Sequence, residues 1–327
     1  MPKISVITPC FNAAPFLLQT MQGVSGQDYT EWEHIIVDDG SADSSLSIAR
    51  GGADRDPRIR VFTQPNRGPA SARNLGASLA AGDSRYLWFL DADDVLEPHA
   101  LSTLSAYLDA HPEVGVAYGT FSIIDRDGLT LAPPEASEWW PRRYIPTRRG
   151  IRALDRRAAD APLSTLVACY QALPSATLVR RSVLVRTQGW DETLREGSED
   201  QDMVLQLAIL SRVHFVPCAV TRYRRHASNI SNYHVYRGIK QFHRKWWYDS
   251  KLPRDQRTRV RRAIRFDYRL AGSLQAYAAV RQLKQGAWSQ ALQHLSSAMK
   301  KLVAYLLLSA GIAGPVFQTP RAERDPS

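Results

Sequence analysis

Three carboxylates stand close together in the stretch LWFLDADDVLEP, Leu87–Pro98. Asp91, Asp93 and Asp94 directly follow a run of apolar residues that predicts a buried strand. Carboxylates crowded in this way resist ionisation unless a cation or hydrogen bonds offset their repulsion. Asp91 and Asp93 flank Ala92 and can share one hard divalent cation, because Mg²⁺ and Mn²⁺ prefer oxygen ligands. The alternative is that the acids only cap helices and turns.

The elements that must position these acids alternate between strands and helices over residues 1–119. The predicted strands are Ile4–Pro9, His34–Ser41, Arg58–Gln64 and Tyr86–Leu90, and helices are predicted after Pro15, from Pro69 to Ala81, and after Pro98. This order predicts an α/β fold with a mainly parallel sheet and helices on both faces. Ligands of such sheets bind beyond the carboxyl ends of the strands, where Asp38, Asp39, Asp91 and Asp93 lie.

The later part of the chain has a different pattern. Asp127-Gly128 stands between apolar runs and predicts a hairpin, and Trp139–Arg157 is rich in Trp, Pro and Arg, which favours an irregular loop. We expect one domain over residues 1–225, with two halves at 1–119 and 120–225. A basic helical region at 226–317 and a disordered tail at 318–327 follow.

Composition excludes several classes of protein. Hydrophobic residues make up 44% of the 327 and charged residues 23%, as in ordinary globular proteins. Three widely spaced cysteines do not suit a disulfide scaffold. No signal peptide is visible, and no run reaches the ~20 apolar residues that a membrane-spanning helix needs. We therefore expect a cytoplasmic protein.

Positive charge is concentrated near the C-terminus. Between Arg222 and Lys301 the chain has 19 Lys and Arg against 3 Asp and Glu. Near one face of a predicted helix lie Arg254, Arg257, Arg261 and Arg265, and the segment before it holds Trp246, Trp247 and Tyr248. Together with the apolar run Leu302–Phe317, this pattern indicates a helix on an anionic membrane at the inner face of the plasma membrane. The alternative is that the run packs against the catalytic domain. The absence of a recognition motif argues against nucleic acid binding.

Six motifs in order resemble family 2 glycosyltransferases, which have the GT-A fold. ISVITPCFN, VDDGSADSS, NRGPASARNLGASLAAG and FLDADDVLEP resemble the nucleotide-sugar-binding half of that family, and GWDETLREGSEDQD and YRRHASNIS resemble its later motifs. The resemblance covers about Lys3–Ser231, and it implies a nucleotide-sugar-binding half at 1–119 and an acceptor and catalytic half at 120–225. Each motif alone is weak, but six in order are specific.

The resemblance implies an inverting, metal-dependent enzyme that moves a hexosyl or N-acetylhexosaminyl group. The donor would be a UDP-sugar, the acceptor a glycan or lipid-linked hydroxyl, and the setting bacterial polysaccharide or repeat-unit assembly. The implied donor-site residues are Pro9, Phe11, Asp38, Arg73, Asp91 and Arg224. The implied ligands of Mg²⁺ or Mn²⁺ are Asp93, Asp91 and His226. The implied base is Asp200, supported by Glu199.

Several of these roles have alternatives. His226 can instead be a structural loop residue, Arg224 can face water, and Asp39 can simply shape a turn. We expect Ser198 to cap the helix that carries the base. Gln201 stands where many family members have Trp, so the acceptor cannot be carried over from them.

Two other functions compete with the transferase. DADDV also fits haloacid-dehalogenase-like phosphohydrolases, in which Asp91 would be the nucleophile, but nothing in that family explains VDDGS or GPASARN. A non-catalytic nucleotide-sugar-binding relative would be favoured if Asp93 or Asp200 were missing, and both are present.

Overall fold

A mixed sheet forms the centre of the protein. The computed structural model describes residues 3–132, 144–147, 150–153, 163, 166, 173–194, 197–227, 229 and 235–317. The strands are β1 (Ile4–Cys10), β2 (Trp32–Asp38), β3 (Ile59–Thr63), β4 (Tyr86–Phe89), β5 (Val95–Leu96), β6 (Val114–Ile124), β7 (Thr130–Ala132), β8 (Tyr144–Thr147), β9 (Gly150–Ala153), β10 (Thr177–Arg180) and β11 (Arg212–Arg224). The sheet order is β3-β2-β1-β4-β10-β6-β11-β5, and β7 pairs with β6.

The predicted α/β fold is confirmed, and four of the eight strand pairs in the described main sheet are parallel. β1 pairs in parallel with β2 and β4, β2 with β3, and β6 with β11. The sequence did not reveal β10, which pairs antiparallel with both β4 and β6. Because β10 enters between them from far along the chain, no local pattern could place it beside β4.

Alternating side chains along β4 give the sheet its two apolar faces. Tyr86 and Trp88 point into one core and Leu87 and Phe89 into the other, as the two-residue period of a strand requires. The helices are α1 (Leu17–Ser25), α2 (Ser45–Ala53), α3 (Pro69–Leu79), α4 (Ala100–Ala110), α5 (Arg181–Leu184), α6 (Glu199–Leu210), α7 (Val235–Tyr248), α8 (Arg254–Lys284), α9 (Trp288–Ser309) and α10 (Gly314–Phe317). Helices α1, α2 and α4 cover the first face, and α3, α5 and α6 the second, as predicted.

The predicted hairpin at Asp127-Gly128 joins β6 to β7, and Gly128 adopts the positive φ of +91° that such a turn favours in glycine. The stretch Trp139–Arg157 is not wholly irregular, since β8 and β9 within it form an antiparallel pair. The rest of that stretch lies outside the described residues.

The C-terminal region is helical, as predicted. A third apolar core joins Leu205 of α6 to Phe242, Trp246, Ile264 and Leu308 in helices α7–α9. The helical region therefore packs directly behind α6. Among the described residues no helix is long and apolar enough to cross a membrane. The expected domain boundary at residue 225 stays a prediction, and the expected tail at 318–327 lies outside the described residues.

Candidate active site

The three acids after β4 have separate partners. Asp91 Oδ1 lies 2.7 Å from Arg73 Nη2. Asp93 Oδ2 lies 2.9 Å from His226 Nε2. Asp94 is 1% exposed and turns inward, where its pKa is raised well above the ordinary value, first by burial and then by the charges of Asp93 and Asp91. The cluster is thus divided between two outward carboxylates and one buried one.

Arg73 links the acids of the strand end to helix α6. Its Nη1 lies 3.2 Å from Glu199 Oε1, and its guanidinium stacks 4.5 Å from the centre of the Trp190 ring. Burial alone would lower the pKa of Arg73, but the carboxylates of Asp91, Glu199 and Asp200 outweigh burial and raise it. The positive charge of Arg73 near the start of α3 is therefore offset by the protein's own carboxylates.

Glu199 and Asp200 begin helix α6. Glu199 is nearly buried, and its pKa is raised to about 7 by burial and by the charge of Asp200, against the opposing charge of Arg73. Asp200 Oδ1 accepts a 2.7 Å hydrogen bond from the backbone N–H of Gln201. Ser198 precedes the helix as predicted, but its side chain makes no capping hydrogen bond. The reason is its left-handed backbone, with φ of +73°, which follows Gly197 at φ of +91°.

Arg224 does not fit the expected contact with the donor phosphate. It is fully buried, and its Nε donates to the backbone carbonyl of Asp93 at 2.8 Å. Its Nη1 donates to the carbonyls of Asp125 and Arg126, and its Nη2 to Gln19 Oε1 at 2.6 Å. Because these groups occupy the guanidinium, Arg224 acts as a structural link that holds the acidic loop against β11.

The backbone of Arg224 also supports this loop. Its N–H donates to Asp94 Oδ1 at 2.9 Å, which explains the inward turn of that acid. Asp94 therefore links the loop after β4 to the end of β11.

His226 and Asp93 form a compact pair on the outward side of the loop. The His226 ring stacks on Phe16 with centroids 4.5 Å apart, and Asn229 Nδ2 lies 3.4 Å from Asp93 Oδ2. Asp93 keeps a side-chain exposure of 25%.

The Asp93 carboxylate is an oxygen ligand that suits Mg²⁺ and Mn²⁺, and the imidazole beside it suits a transition metal, so these two residues fit Mn²⁺ better than Mg²⁺. Asp91 is instead paired with Arg73, and the described part of the chain contains no group of three or more such ligands in place to hold a metal. The expected three-residue metal site therefore stays a prediction.

The end of β2 holds a buried hydrogen-bond acceptor. Asp38 is 3% exposed, its Oδ2 accepts from the Ser41 N–H at 3.2 Å, and its Oδ1 has no hydrogen-bond partner among the residues that the structure describes. Phe11, on the neighbouring loop after β1, is half exposed, and Pro9 lies within β1 and pairs in register with Val37. Asp39, in contrast, accepts from three groups and shapes the loop before α3, as its alternative interpretation held.

Sequence reasoning missed the anchor behind the site. Asp202 is fully buried, and its Oδ1 accepts from Lys245 Nζ and Trp246 Nε1, each at 2.7 Å. Lys245 Nζ also lies 2.7 Å from Asp191 Oδ2. These contacts fix the first turn of α6 to α7. The partners are more than 40 residues apart, so no local signal could have revealed them.

Comparison with known proteins agrees with this geometry. Residues 5–162 match the family model described as glycosyl transferase family 2. The chain is 38% identical over 210 residues to the O-antigen biosynthesis protein RfbC of Myxococcus xanthus, covering 63% of this chain and 14% of that protein. The chain spans no more than half the length of the first curated relatives it matches.

Solved structures share the fold. Staphylococcus aureus TarS 1-349 in complex with UDP-GlcNAc superposes with a TM-score of 0.63 at 16% identity, covering 96% of this chain and 89% of that one. The mannosyltransferase PcManGT from Pyrobaculum calidifontis, in complex with GDP-Man and Mn²⁺, gives a TM-score of 0.59 at 20% identity, covering 93% and 87%. The sheet order and the family match disfavour the phosphohydrolase alternative, whose nucleophile Asp91 is here paired with Arg73.

Proposed function

The chain carries a family 2 glycosyltransferase domain with the GT-A fold, and on that premise we propose that it moves a sugar with inversion from a nucleotide-diphosphate donor to a hydroxyl acceptor. The observation that carries the proposal is the meeting of Asp91, Arg73 and Glu199 beyond the carboxyl end of β4, with the Asp93–His226 pair on the same loop. This edge of a parallel sheet is where ligands bind.

A UDP-sugar would supply a hydrogen-bond donor for Asp38 Oδ1 at the end of β2. The imide N–H of uracil is a donor, and Asp38 Oδ1 is a buried acceptor that lacks a partner. The half-exposed ring of Phe11 offers a face on which the base can stack. The UDP-GlcNAc complex of TarS is consistent with this choice, and an N-acetylhexosaminyl or hexosyl group is the transferred unit we propose.

Asp93 and His226 would hold a Mg²⁺ or Mn²⁺ ion. Such an ion neutralises diphosphate charge and makes the nucleotide a better leaving group. The protein positions both residues. Arg224 donates a hydrogen bond to the backbone carbonyl of Asp93, which leaves the carboxylate outward, and Phe16 packs on the His226 ring. The Mn²⁺ complex of PcManGT supports this proposal.

Asp200 is the base we propose for the acceptor hydroxyl. It lies in the first turn of α6, next to Glu199, whose carboxylate is held by the buried guanidinium of Arg73. The contact between Arg73 and Glu199 positions the turn in which Asp200 would abstract the proton. A pKa of about 7 at Glu199 also lowers the negative charge beside Asp200 at neutral pH.

The acceptor we propose is a glycan or lipid-linked hydroxyl in bacterial polysaccharide assembly. The similarity to an O-antigen biosynthesis protein supports that setting. Gln201 follows the catalytic pair and is partly buried, and it is the side chain we expect to differ in its acceptor contact from relatives with Trp at that place.

A panel of nucleotide-sugars tests the proposal. Hydrolysis and binding are measured with Mg²⁺, with Mn²⁺ and with a chelator, for the wild type and for Asp200→Asn, with exposed Asp83→Asn as the matched control. We expect one UDP-sugar to bind, Asp200→Asn to bind it without turnover, and Asp83→Asn to behave as the wild type. Failure of every nucleotide-sugar to bind would overturn the proposal.

A further inference from the structure

Helix α9 carries an apolar face that the rest of the described chain leaves uncovered. Its residues follow one another at steps of four and three, which places them along one side of a helix. They are Trp288, Leu292, Leu295, Met299, Leu302 and Leu306, with side chains between 40% and 68% exposed. We call these six residues the apolar stripe. Nearby, Val280 of α8 is 50% exposed and Ile312, just after α9, is 49% exposed.

A different face of α9 already makes the contacts that hold the helix in place. Ala291, Ala298 and Leu308 are buried, and His294 Nδ1 lies 2.7 Å from Gln275 Oε1 of α8. A Cβ added at Gly272 of α8 would lie 3.5 Å from the carbonyl of Ala298, so the two helices approach closely. The sequence left open whether the apolar run Leu302–Phe317 packs against the rest of the protein. Leu308, Ala313 and Phe317 of this run are buried in the third apolar core, whereas Leu302 and Leu306 belong to the exposed stripe.

The two helices of this region are strongly positive. Helices α8 and α9 contain eleven Lys and Arg against two acids, Asp255 and Asp267, and α9 contains no acid at all. The exposed cations include Arg254, Arg259, Arg262 and Arg269 of α8. None of the four arginines forms a salt bridge with a residue that the structure describes. This charge is thus available to an outside partner.

Charge decides between two occupants of the stripe. Steps of four and three are also those of a coiled-coil seam, which would suggest a second copy of the chain. Pairing the α8–α9 hairpins of two copies would bring together two sets of eleven positive charges. Helix α9 has no acids to pair with them. An anionic lipid surface, in contrast, complements both features, because basic side chains beside an apolar helix face bind lipid headgroups. Trp288 at the start of α9 is of the type enriched at membrane–water interfaces.

We propose that the α8–α9 hairpin lies on an anionic membrane surface. The apolar stripe enters the boundary between headgroups and acyl chains, and the exposed arginines contact lipid phosphates. This inference goes beyond the transferase activity and does not depend on it, since it rests on the exposed face and charge of the helical region alone.

Vesicle binding by the full chain tests the inference. The protein is sedimented with vesicles of phosphatidylcholine alone or mixed with phosphatidylglycerol, at low and high salt. We expect sedimentation with the anionic vesicles only, weakened by salt because exposed charges are screened. The double variant Leu292→Ser/Met299→Ser should weaken binding at least about tenfold, since it removes two large apolar side chains that would be buried in the bilayer.

Two controls match the variants. Leu129→Ser and Val185→Ser remove side chains that are equally exposed on the catalytic domain, and we expect them to bind as the wild type does. Arg262→Glu/Arg269→Glu should also weaken binding at least about tenfold, whereas the exposed Arg55→Glu should not. All substituted residues are exposed, so circular dichroism should show wild-type folding in each variant.

Three results would overturn the inference. One is no binding of the wild type to anionic vesicles, and another is equal binding by the stripe variants. The third is a dimer in analytical ultracentrifugation that Leu292→Ser/Met299→Ser dissociates while vesicle binding is absent, which would assign the stripe to a second copy. Because no donor is present in these assays, their failure leaves the proposed transferase activity untouched.

Discussion

Arg73 Nη2 lies 2.7 Å from Asp91 Oδ1, and this contact ties the first turn of α3 to the acidic loop after β4. The same guanidinium reaches Glu199, beside the proposed base. A single buried cation therefore connects the side of the site assigned to the donor with the helix assigned to catalysis. We therefore expect changes at Arg73 to affect stability, donor binding and turnover together.

Arg73→Met should destabilise the protein. The substitution leaves the nearly buried Glu199 without its cation. Breaking a buried ion pair costs roughly 3–5 kcal/mol, and we expect a smaller loss here because Asp91, the other partner of Arg73, is one-third exposed. The matched control is Arg85→Met, which breaks the half-exposed pair with Asp109 and should cost under about 1 kcal/mol. Urea unfolding measures both. Equal losses in the two variants would contradict the structural role of Arg73.

Glu199 should make stability depend on pH. Its ordinary pKa is 4.5 and its folded pKa about 7, so between these values the unfolded chain loses the proton that the folded protein keeps. Glu199 should contribute a fall of roughly 3 kcal/mol in the free energy of unfolding as pH rises through this window, and no further change above it. Asp267, whose pKa burial also raises to about 7, contributes a fall of its own, so Glu199→Gln should remove only the Glu199 contribution, whereas the exposed Asp83→Asn should retain it. Urea unfolding at a series of pH values tests the difference, and parallel curves for the wild type and Glu199→Gln would contradict it.

Lys245→Met should weaken the anchor between α6 and α7. Asp202 would stay fully buried after losing its cation, and the expected cost is roughly 3 kcal/mol. Turnover should also fall, because Asp200 lies in the same turn as Asp202. Arg244→Met, at the exposed neighbouring position of α7, should change neither property. A variant Lys245→Met with wild-type turnover and stability would show that the anchor does not position the base.

Arg224→Lys separates a structural from a donor-binding role. A lysine cannot replace all the hydrogen bonds to the carbonyls of Asp93, Asp125 and Arg126, and each buried group left unpaired costs about 1–3 kcal/mol. We expect lower thermal stability, and a loss of donor affinity no larger than the loss of metal affinity, because Arg224 positions Asp93 and does not itself contact the donor phosphate. A normal melting temperature with weakened donor affinity would instead restore the phosphate contact expected from the sequence.

The sequence predicted the parts of the fold that depend on local pattern. Apolar runs marked β1, β2 and β4, and the acids at their ends were placed at the correct edge of the sheet because parallel strands end together. Helix starts near Pro69 and Pro98 were found because proline favours the first turn.

Contacts between distant segments could not be predicted in this way. The burial of Arg224 follows from the crossing of β11 with the acidic loop, and basic side chains look alike in sequence whether they are buried or solvated. Ser198 makes no side-chain cap because its backbone is left-handed, as is that of Gly197 before it, and the sequence did not reveal this conformation. The anchor at Asp202 needed the position of α7, which no motif supplies.

Calorimetric titration with the UDP-sugar that the panel identifies, with and without Mn²⁺, tests whether Asp93 holds the metal ion that binds the donor. The wild type is compared with Asp93→Ala and with the exposed Asp83→Ala. We expect binding that needs Mn²⁺, at least about a hundredfold weaker binding by Asp93→Ala, and no change in Asp83→Ala. Equal affinity of Asp93→Ala and the wild type, with or without Mn²⁺, would show that the carboxylates after β4 are structural and would contradict the account.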